Sequence, residues 1–246
     1  MEKFKTDGIV IKSSVTGEAD RIVWILTRNR GIIRAFAKGA QSIKSRLHAA
    51  ASLFSYCDFV IFEKNGVFTV SDAVLREQFY TLRTELDRLT LAQYFCEIIL
   101  KTVPETQSEE NCLRLLLNSL FLLSKGEKDM LIIKSVFELR FLSETGFMPA
   151  LAACGGCGEF QTPEMYFDCA SGLLYCSNCG AALAVPRVPL AVISAMRHIV
   201  FSPFEKIFSF TLPRELTELL NRLSENYLLQ SLQLKCRTLD FFKLQK

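Results

Sequence analysis

Cys154-Gly155-Gly156-Cys157 and Cys176-Ser177-Asn178-Cys179 are the residues of this 246-residue chain whose types and spacing imply chemistry most directly. A Cys-x-x-Cys pair can turn two thiolates toward one point, and two pairs close a tetrahedral all-sulfur shell with metal–sulfur distances of roughly 2.3 Å. Eighteen residues separate the pairs, within the range read as a zinc ribbon or knuckle. Glycine beside the ligands serves the tight bend, so Gly158 and Gly180, one after each pair, are expected at positive φ. With four ligands in place and no neighbouring histidine or carboxylate to join them, Cys154, Cys157, Cys176 and Cys179 are expected to hold one structural Zn2+. Four thiolates could also carry an iron–sulfur cluster, and four buried free thiols are the inert alternative. A redox-active pair would place one Cys-x-x-Cys at a helix N-terminus after a strand, and the presence of two pairs argues against it. Cys169 lies between Phe167-Asp168 and Ala170-Ser171-Gly172, as at a hairpin tip, and reads as spare rather than as a ligand. Cys57, Cys96, Cys112 and Cys236 sit in apolar patterns, where cysteine behaves as a small hydrophobe, and no disulfide framework is indicated.

The chain carries no Gly-rich phosphate loop, nucleophile elbow, His-Glu-x-x-His helix or acidic pair with hydrolytic spacing. No catalytic residues and no enzymatic activity are expected. Hydrophobic residues make up 50% of the chain, which excludes a disordered protein. No apolar run reaches the roughly 18 to 20 residues of a membrane span, and Met1-Glu2-Lys3-Phe4-Lys5 leads into a strand pattern without an apolar leader. A cytoplasmic protein is expected, where cysteine pairs hold metal rather than each other. The formal net charge is only +3, but it is unevenly distributed. Residues 1–80 hold twelve Lys/Arg against eight Asp/Glu, residues 81–185 eight against thirteen, and residues 186–246 nine against five. The two ends are basic and the middle is acidic.

Within residues 1–80, Gly8 to Lys12, Arg21 to Thr27, Ile32 to Ala37, Phe54 to Phe62 and Val67 to Leu75 are short β-branched and aromatic runs bounded by turn formers, the pattern of five strands. Asn65-Gly66 marks a hairpin between the last two. The single long connection, Lys38 to Ser52, falls between the third and fourth strands. These proportions match a five-stranded OB-fold barrel, although a small SH3-like barrel has a similar strand count. From Arg21 through Cys57 there are seven basic residues, Arg21, Arg28, Arg30, Arg34, Lys38, Lys44 and Arg46, and no acidic one. A surface of one sign attracts a polyanion, and nucleic acid is the expected partner; a solvated surface with acidic partners elsewhere in the fold is the plainer alternative. Trp24, Phe36 and Phe54 are the aromatics on which bases could stack, or core residues.

From Glu77 the period changes to that of helices. One is expected from there to Val103-Pro104, a second from about Glu109 to Ser124, and a third after an N-cap at Asp129 with Gly146 as its stop. These three apolar-striped helices should form a bundle. Pro186-Arg187-Val188-Pro189 opens a further helix to about Val200, and Pro213 to Leu229 forms another. In the final stretch, Lys235 and Arg237 flank Cys236 beside an apolar anchor. His198, with no second histidine nearby, reads as packed or superficial rather than as a ligand. The resulting expectation is an α+β multidomain chain: an OB-fold barrel over 1–80, then a helical domain over 81–246 carrying the four-cysteine zinc knuckle as an insertion at 150–185.

The order of these parts, together with local motifs, resembles the RecO family of bacterial recombination mediators and DNA-repair proteins across essentially the whole chain. The motifs are Gly8-Ile9-Val10-Ile11, Gly17-Glu18-Ala19-Asp20-Arg21, Leu26-Thr27 with Gly31, Ala37-Lys38-Gly39-Ala40 with Lys44-Ser45-Arg46, and Gly146-Phe147-Met148-Pro149 leading to the first cysteine pair. Tyr227-Leu228 and Leu234-Lys235-Cys236-Arg237 are similar to the family's C-terminal pattern, with Cys236 where serine is more usual, and Gln41-Ser42 stand where that loop is often more basic. The resemblance implies a protein of the RecF pathway that binds single- and double-stranded DNA, anneals complementary strands, and works with RecR and the C-terminal tail of single-stranded-DNA-binding protein to load RecA. Nucleic-acid contacts are then expected at Arg21, Arg34, Lys38, Lys44, Arg46, Lys235 and Arg237. A zinc-containing protein–protein adaptor and an RNA-binding OB-fold factor are the alternatives.

Overall fold

A computed structural model describes residues 2–104 and 110–245. The chain divides into two compact units, Met1–Ser124 with Cys236–Lys246, and Lys125–Lys235.

Five strands form a closed barrel in the first unit: β1 (Glu2–Thr16), β2 (Asp20–Thr27), β3 (Ile32–Ala37), β4 (Ser55–Lys64) and β5 (Val67–Gln78), ordered β1-β2-β3-β5-β4. β1 is long enough to pair with β4 along its first half and β2 along its second, with a register shift between Val10 and Lys12 where it changes partner. A short parallel pairing of β3 with β5 closes the ring. Alternate side chains point inward, and Val10, Val23, Ile25, Ile33, Ala35, Phe59, Ile61 and Val70 fill the interior. The connection from Lys38 contains one turn of helix, α1 (Leu47–Ala50), which the sequence pattern did not reveal. Its Leu47 and Ala50, with Ala51, join the same core. Asn65 (φ 52) and Gly66 (φ 77) both adopt the left-handed conformation that a two-residue hairpin turn requires.

At one end of the barrel the Asp7 carboxylate accepts from Arg28 (Nε–Oδ1 3.0 Å, Nη2–Oδ2 2.8 Å) and from the Tyr56 hydroxyl (2.6 Å). The hydrogen bond from Arg28 is the main reason that Asp7 titrates below the ordinary aspartate range.

β5 continues through Gln78, so Glu77 lies in a strand and not in a helix. A 3-10 turn (Tyr80–Arg83) then leads to α2 (Leu86–Thr102). α3 (Glu110–Lys125) follows; its expected start at Glu109 lies outside the described residues. The last helix, numbered α8 in chain order (Arg237–Leu244), packs on α2. Glu97 fixes its entry, accepting from Arg237 N (3.2 Å), Thr238 N (3.0 Å) and Lys101 Nζ (2.6 Å).

The second unit is built on α4 (Met130–Glu144), whose N-cap Asp129 accepts from Leu131 N at 2.7 Å. Of the three consecutive helices expected to form a bundle, α2 and α3 fall in the first unit and α4 in the second, where α4 lies against α6 (Leu190–Phe201) and α7 (Arg214–Leu232). It is buried nearly all round rather than along one stripe. Lys134 is 1% exposed and reaches Glu138 (2.7 Å), Glu225 (2.9 Å) and Asn221 (3.0 Å), while Ser224 donates to Glu138 at 2.6 Å. A small sheet, β6 (Met165–Asp168), β7 (Leu173–Cys176) and β8 (Arg187–Val188), in the order β7-β6-β8, carries the cysteine motif, with one helical turn, α5 (Ser177–Gly180), after β7. β8 occupies residues expected to open a helix. His198 is packed as expected, bonded to Lys206 O (2.7 Å) and Ser202 (3.2 Å). Among the described residues no helix is long and apolar enough to cross a membrane.

Candidate metal centre and nucleic-acid interface

Cys154 and Cys157 stand on a tight turn: the Gly158 N–H donates to Cys154 O at 2.9 Å, and the Cys154 N–H to Glu159 O at 2.8 Å. The Gly155 N–H donates to Leu174 O at 2.7 Å, pinning that turn to β7. Cys176 ends β7 and Cys179 lies in α5. The four sulfurs converge within 4.8 Å of one another, with Cys157 Sγ and Cys176 Sγ 3.6 Å apart. Sulfurs tetrahedrally placed about 2.3 Å from a common ion stand roughly 3.8 Å apart, so this donor set fits a metal ion with little adjustment.

Ionisation is unevenly divided among these thiols. Burial opposes ionisation of Cys154, but the backbone N–H groups of Cys176, Cys157 and Gly156 outweigh it and bring the thiol down to about 6. Hydrogen bonding to Cys157, Cys176 and Cys154 pushes Cys179 up to about 12. Four thiolates can share this volume only around a cation.

The glycines serve this site in two different ways. Gly158 has φ 78, as expected, but Gly180 does not adopt positive φ. It is needed for space instead, since a Cβ there would stand 2.5 Å from the Tyr166 ring. A Cβ on Gly156 would likewise stand 3.0 Å from Cys179 Sγ. Cys169 is outside the cluster; its half-buried thiol points to Leu223 O at 3.9 Å and is pushed up to about 11 by burial.

On the barrel, cross-strand register brings Lys12, Trp24 and Arg34 into one row across β1, β2 and β3, with Phe36 on the same face two residues beyond Arg34. Lys12 Nζ lies 4.5 Å, and the Arg34 guanidinium 5.5 Å, from the Trp24 ring centroid. Trp24 is half-buried and Phe36 is 37% exposed, whereas Phe54 is 1% exposed and belongs to the core, so it cannot stack on a ligand. Lys12 was missed in the sequence because only the pairing register places it beside Trp24.

Lys38 directly follows β3, and Lys44 and Arg46 lie in the connection after it. Arg34, Lys38, Lys44 and Arg46 are all exposed, and none has an acidic partner among the described residues. Lys38 sits on a fixed loop: the Gly39 N–H donates to Asp20 Oδ1 (2.7 Å), and the Gln41 side-chain amide to Gly17 O and Asp20 O (both 3.2 Å). Gln41 therefore ties this loop to the β1–β2 turn.

Arg21 is set apart from that row. It is half-buried on the inward-facing register of β2 and donates to Ser13 Oγ at 3.3 Å. Two of the seven basic residues do have acidic partners distant in sequence, Arg28 with Asp7 and Glu110, and Arg30 with Glu2 (2.8 Å) and Glu63 (3.6 Å). Lys235 is exposed at the end of the second unit, and Arg237, also exposed, opens α8 in the first.

The family models Recombination protein O N terminal and Recombination protein O C terminal match residues 1–79 and 83–240. Among curated proteins, "DNA repair protein RecO" of Acetivibrio thermocellus is 37% identical, over 99% of this chain and 97% of its own length. The proteins of the same name from Symbiobacterium thermophilum and Alkaliphilus metalliredigens are 32% and 31% identical, over 98% and 92% of this chain and 97% and 92% of theirs. With both halves matched in order and nearly the full length aligned, the chain belongs to the RecO family of DNA repair proteins.

Proposed function

We propose that the barrel is an OB-fold module that binds single-stranded DNA across the face of β1, β2 and β3. Arg34, Lys38, Lys44 and Arg46 hold phosphates, and Trp24 serves as a base-stacking platform. The observation that carries this is the Lys12–Trp24–Arg34 row: a partly exposed indole held between two cations, on a face continued by cations without acidic partners. An aromatic beside a basic track is the sequence-tolerant way to bind a single strand, and phosphate contacts position the partner without reading bases. The strand order, with β1 shared between β2 and β4 and β5 closing on β3, is the support for the OB assignment. Arg21, tied to Ser13, supports the barrel end and adds to the field; Lys235 and Arg237 supply further phosphate contacts.

On this reading the cysteine quartet holds one Zn2+, which contributes no reaction chemistry and fixes the knuckle. The protein acts without catalysis, in the cytoplasm at the nucleoid, in the RecF pathway. It binds single- and double-stranded DNA, anneals complementary strands, and engages RecR and the C-terminal tail of single-stranded-DNA-binding protein so that RecA is loaded. Trp24 is the only tryptophan, so its fluorescence tests the stacking directly. Titration with oligo-dT, without any partner protein, should quench it saturably, and matched RNA should compete no better than DNA. Absence of retardation at physiological salt would favour the adaptor, and strong preference for RNA would favour the RNA-binding factor, since discrimination through the 2′-hydroxyl is that factor's distinguishing demand.

A further inference from the structure

A cavity of about 450 Å³ opens in the first unit between β1, α2 and α8. That size lies in the range of roughly 300–1,000 Å³ typical of small-ligand sites. Ile11, Leu53 and Leu100 give it apolar walls, and Lys12 and Arg237 stand at its rim. Its one acidic group, Glu97, is already engaged by Lys101 and by the backbone N–H groups of Arg237 and Thr238. The remaining character is therefore apolar inside and cationic at the edge.

Half-buried Gln93 also lines the cavity, and its side-chain amide has no hydrogen-bond partner among the described residues. An amide offers both donors and an acceptor, so it can meet the edge of any base. Lys12 is common to the cavity and the stacking platform: the residue lines the cavity, and its ammonium lies over the Trp24 ring. A strand laid on Trp24 is thus carried to the cavity mouth.

We propose that this cavity receives one unstacked nucleobase of a single strand that crosses Trp24, with Lys12 and Arg237 on the flanking phosphates and the Gln93 amide on the base edge. This rests on the DNA-binding reading of the barrel face. An acidic peptide would satisfy the same cations, but it would have no use for the continuity with Trp24.

The test uses the full chain and a fluorescent oligo-dT in which a single abasic site is moved along the strand. Base–aromatic or base–apolar contacts of this kind are worth about tenfold or more in affinity per base. Wild type should show one internal abasic position that weakens binding about tenfold. Leu100→Trp, which fills the cavity, should bind the unmodified strand about tenfold more weakly and lose that positional sensitivity. Gln93→Leu, at a half-buried site where refolding problems are least expected, should weaken binding severalfold with an unchanged far-ultraviolet circular dichroism spectrum. If both variants bind like wild type while Arg34→Ala binds more weakly, the barrel reading stands and the cavity proposal falls. Should the variants keep DNA affinity but lose affinity for an acidic, aromatic-ended peptide, the cavity is a peptide site and the proposal is likewise overturned. No binding of oligo-dT by wild type would remove both readings.

Discussion

Removing Cys157, one of the four cysteines that could hold a metal ion, is the perturbation whose consequence can be worked furthest. Its side chain is exposed, so Cys157→Ser takes away little packing and almost nothing but a ligand. The sheet that the knuckle organises buries Met165, Phe167, Leu174 and Val188 completely, and Phe167 packs edge-on to Tyr227 of α7 at 5.5 Å. Burial of such side chains is worth about 1.5–3 kcal/mol each, so several kcal/mol of the second unit's stability depend on the sheet staying docked. Zinc in small peptide sites supplies on the order of 10–16 kcal/mol, comparable with a whole domain's roughly 5–15 kcal/mol. Most of the force holding the knuckle shut is then the metal. Trp24 reports on the barrel alone, whereas helical circular dichroism reports on α2, α3 and α8 as well as on α4, α6 and α7, so a helical transition that moves while the Trp24 transition stays marks the second unit. Cys157→Ser, or chelation of wild type, should move the helical circular dichroism transition in urea by more than about 3 kcal/mol and leave the Trp24 fluorescence transition nearly in place. Cys169→Ser, outside the cluster, should change neither strongly. Superimposable helical transitions with and without chelator, or purified protein devoid of zinc, would show that no metal holds the knuckle.

Other perturbations probe the two units independently. Asp7→Asn removes the charge and one of the two acceptor oxygens that Arg28 and Tyr56 bond to and should destabilise the barrel by about 1.5–3 kcal/mol. Because the native Asp7 pKa lies below the ordinary value of 3.8, its stabilisation is fully present above that value and is lost as pH falls through the depressed native one. Acid titration of Trp24 fluorescence should show a transition below about pH 4 that shifts in Asp7→Asn. Lys134→Ala strands Glu138 and Glu225 in the interior and should lower the stability of the second unit by about 3–5 kcal/mol; Lys134→Met with Glu138→Gln and Glu225→Gln should recover much of this, as measured by urea unfolding. Gly180→Ala, which collides with Tyr166, should weaken zinc retention in a competition assay with a chromogenic chelator.

How much of this was legible in the sequence depended on the range over which each signal acts. The cysteine spacing, the Asn65-Gly66 turn and the Asp129 cap are local, and the chain adopts the conformations those residues favour. The α2 start was blurred because Glu77 continues the alternation of β5 before helical periodicity sets in. Gly180 was assigned its need by analogy with Gly158, but what it makes room for is Tyr166 on the neighbouring strand, a contact no local pattern carries. Nothing beside Lys134 in the sequence marks it as buried, because its partner Glu225 lies ninety-one residues later. The long basic run overstated the uniform charge, because Arg28 and Arg30 meet acids from β1, α3 and β4. It also gave no hint of Lys12, which only the strand register places beside Trp24.

DNA binding by the barrel depends, on the proposed reading, on its exposed cations holding the phosphates of a single strand. The most direct measurement is the salt dependence of oligo-dT binding for wild type and for the combined variant Lys38→Ala, Lys44→Ala, Arg46→Ala. Each phosphate contact contributes about −0.7 to the slope of log Kobs against log salt on a single strand. The variant's slope should therefore be shallower by about two, with weaker binding across all sequences. An unchanged slope and affinity, in a variant whose Trp24 fluorescence reports an intact barrel, would contradict the account.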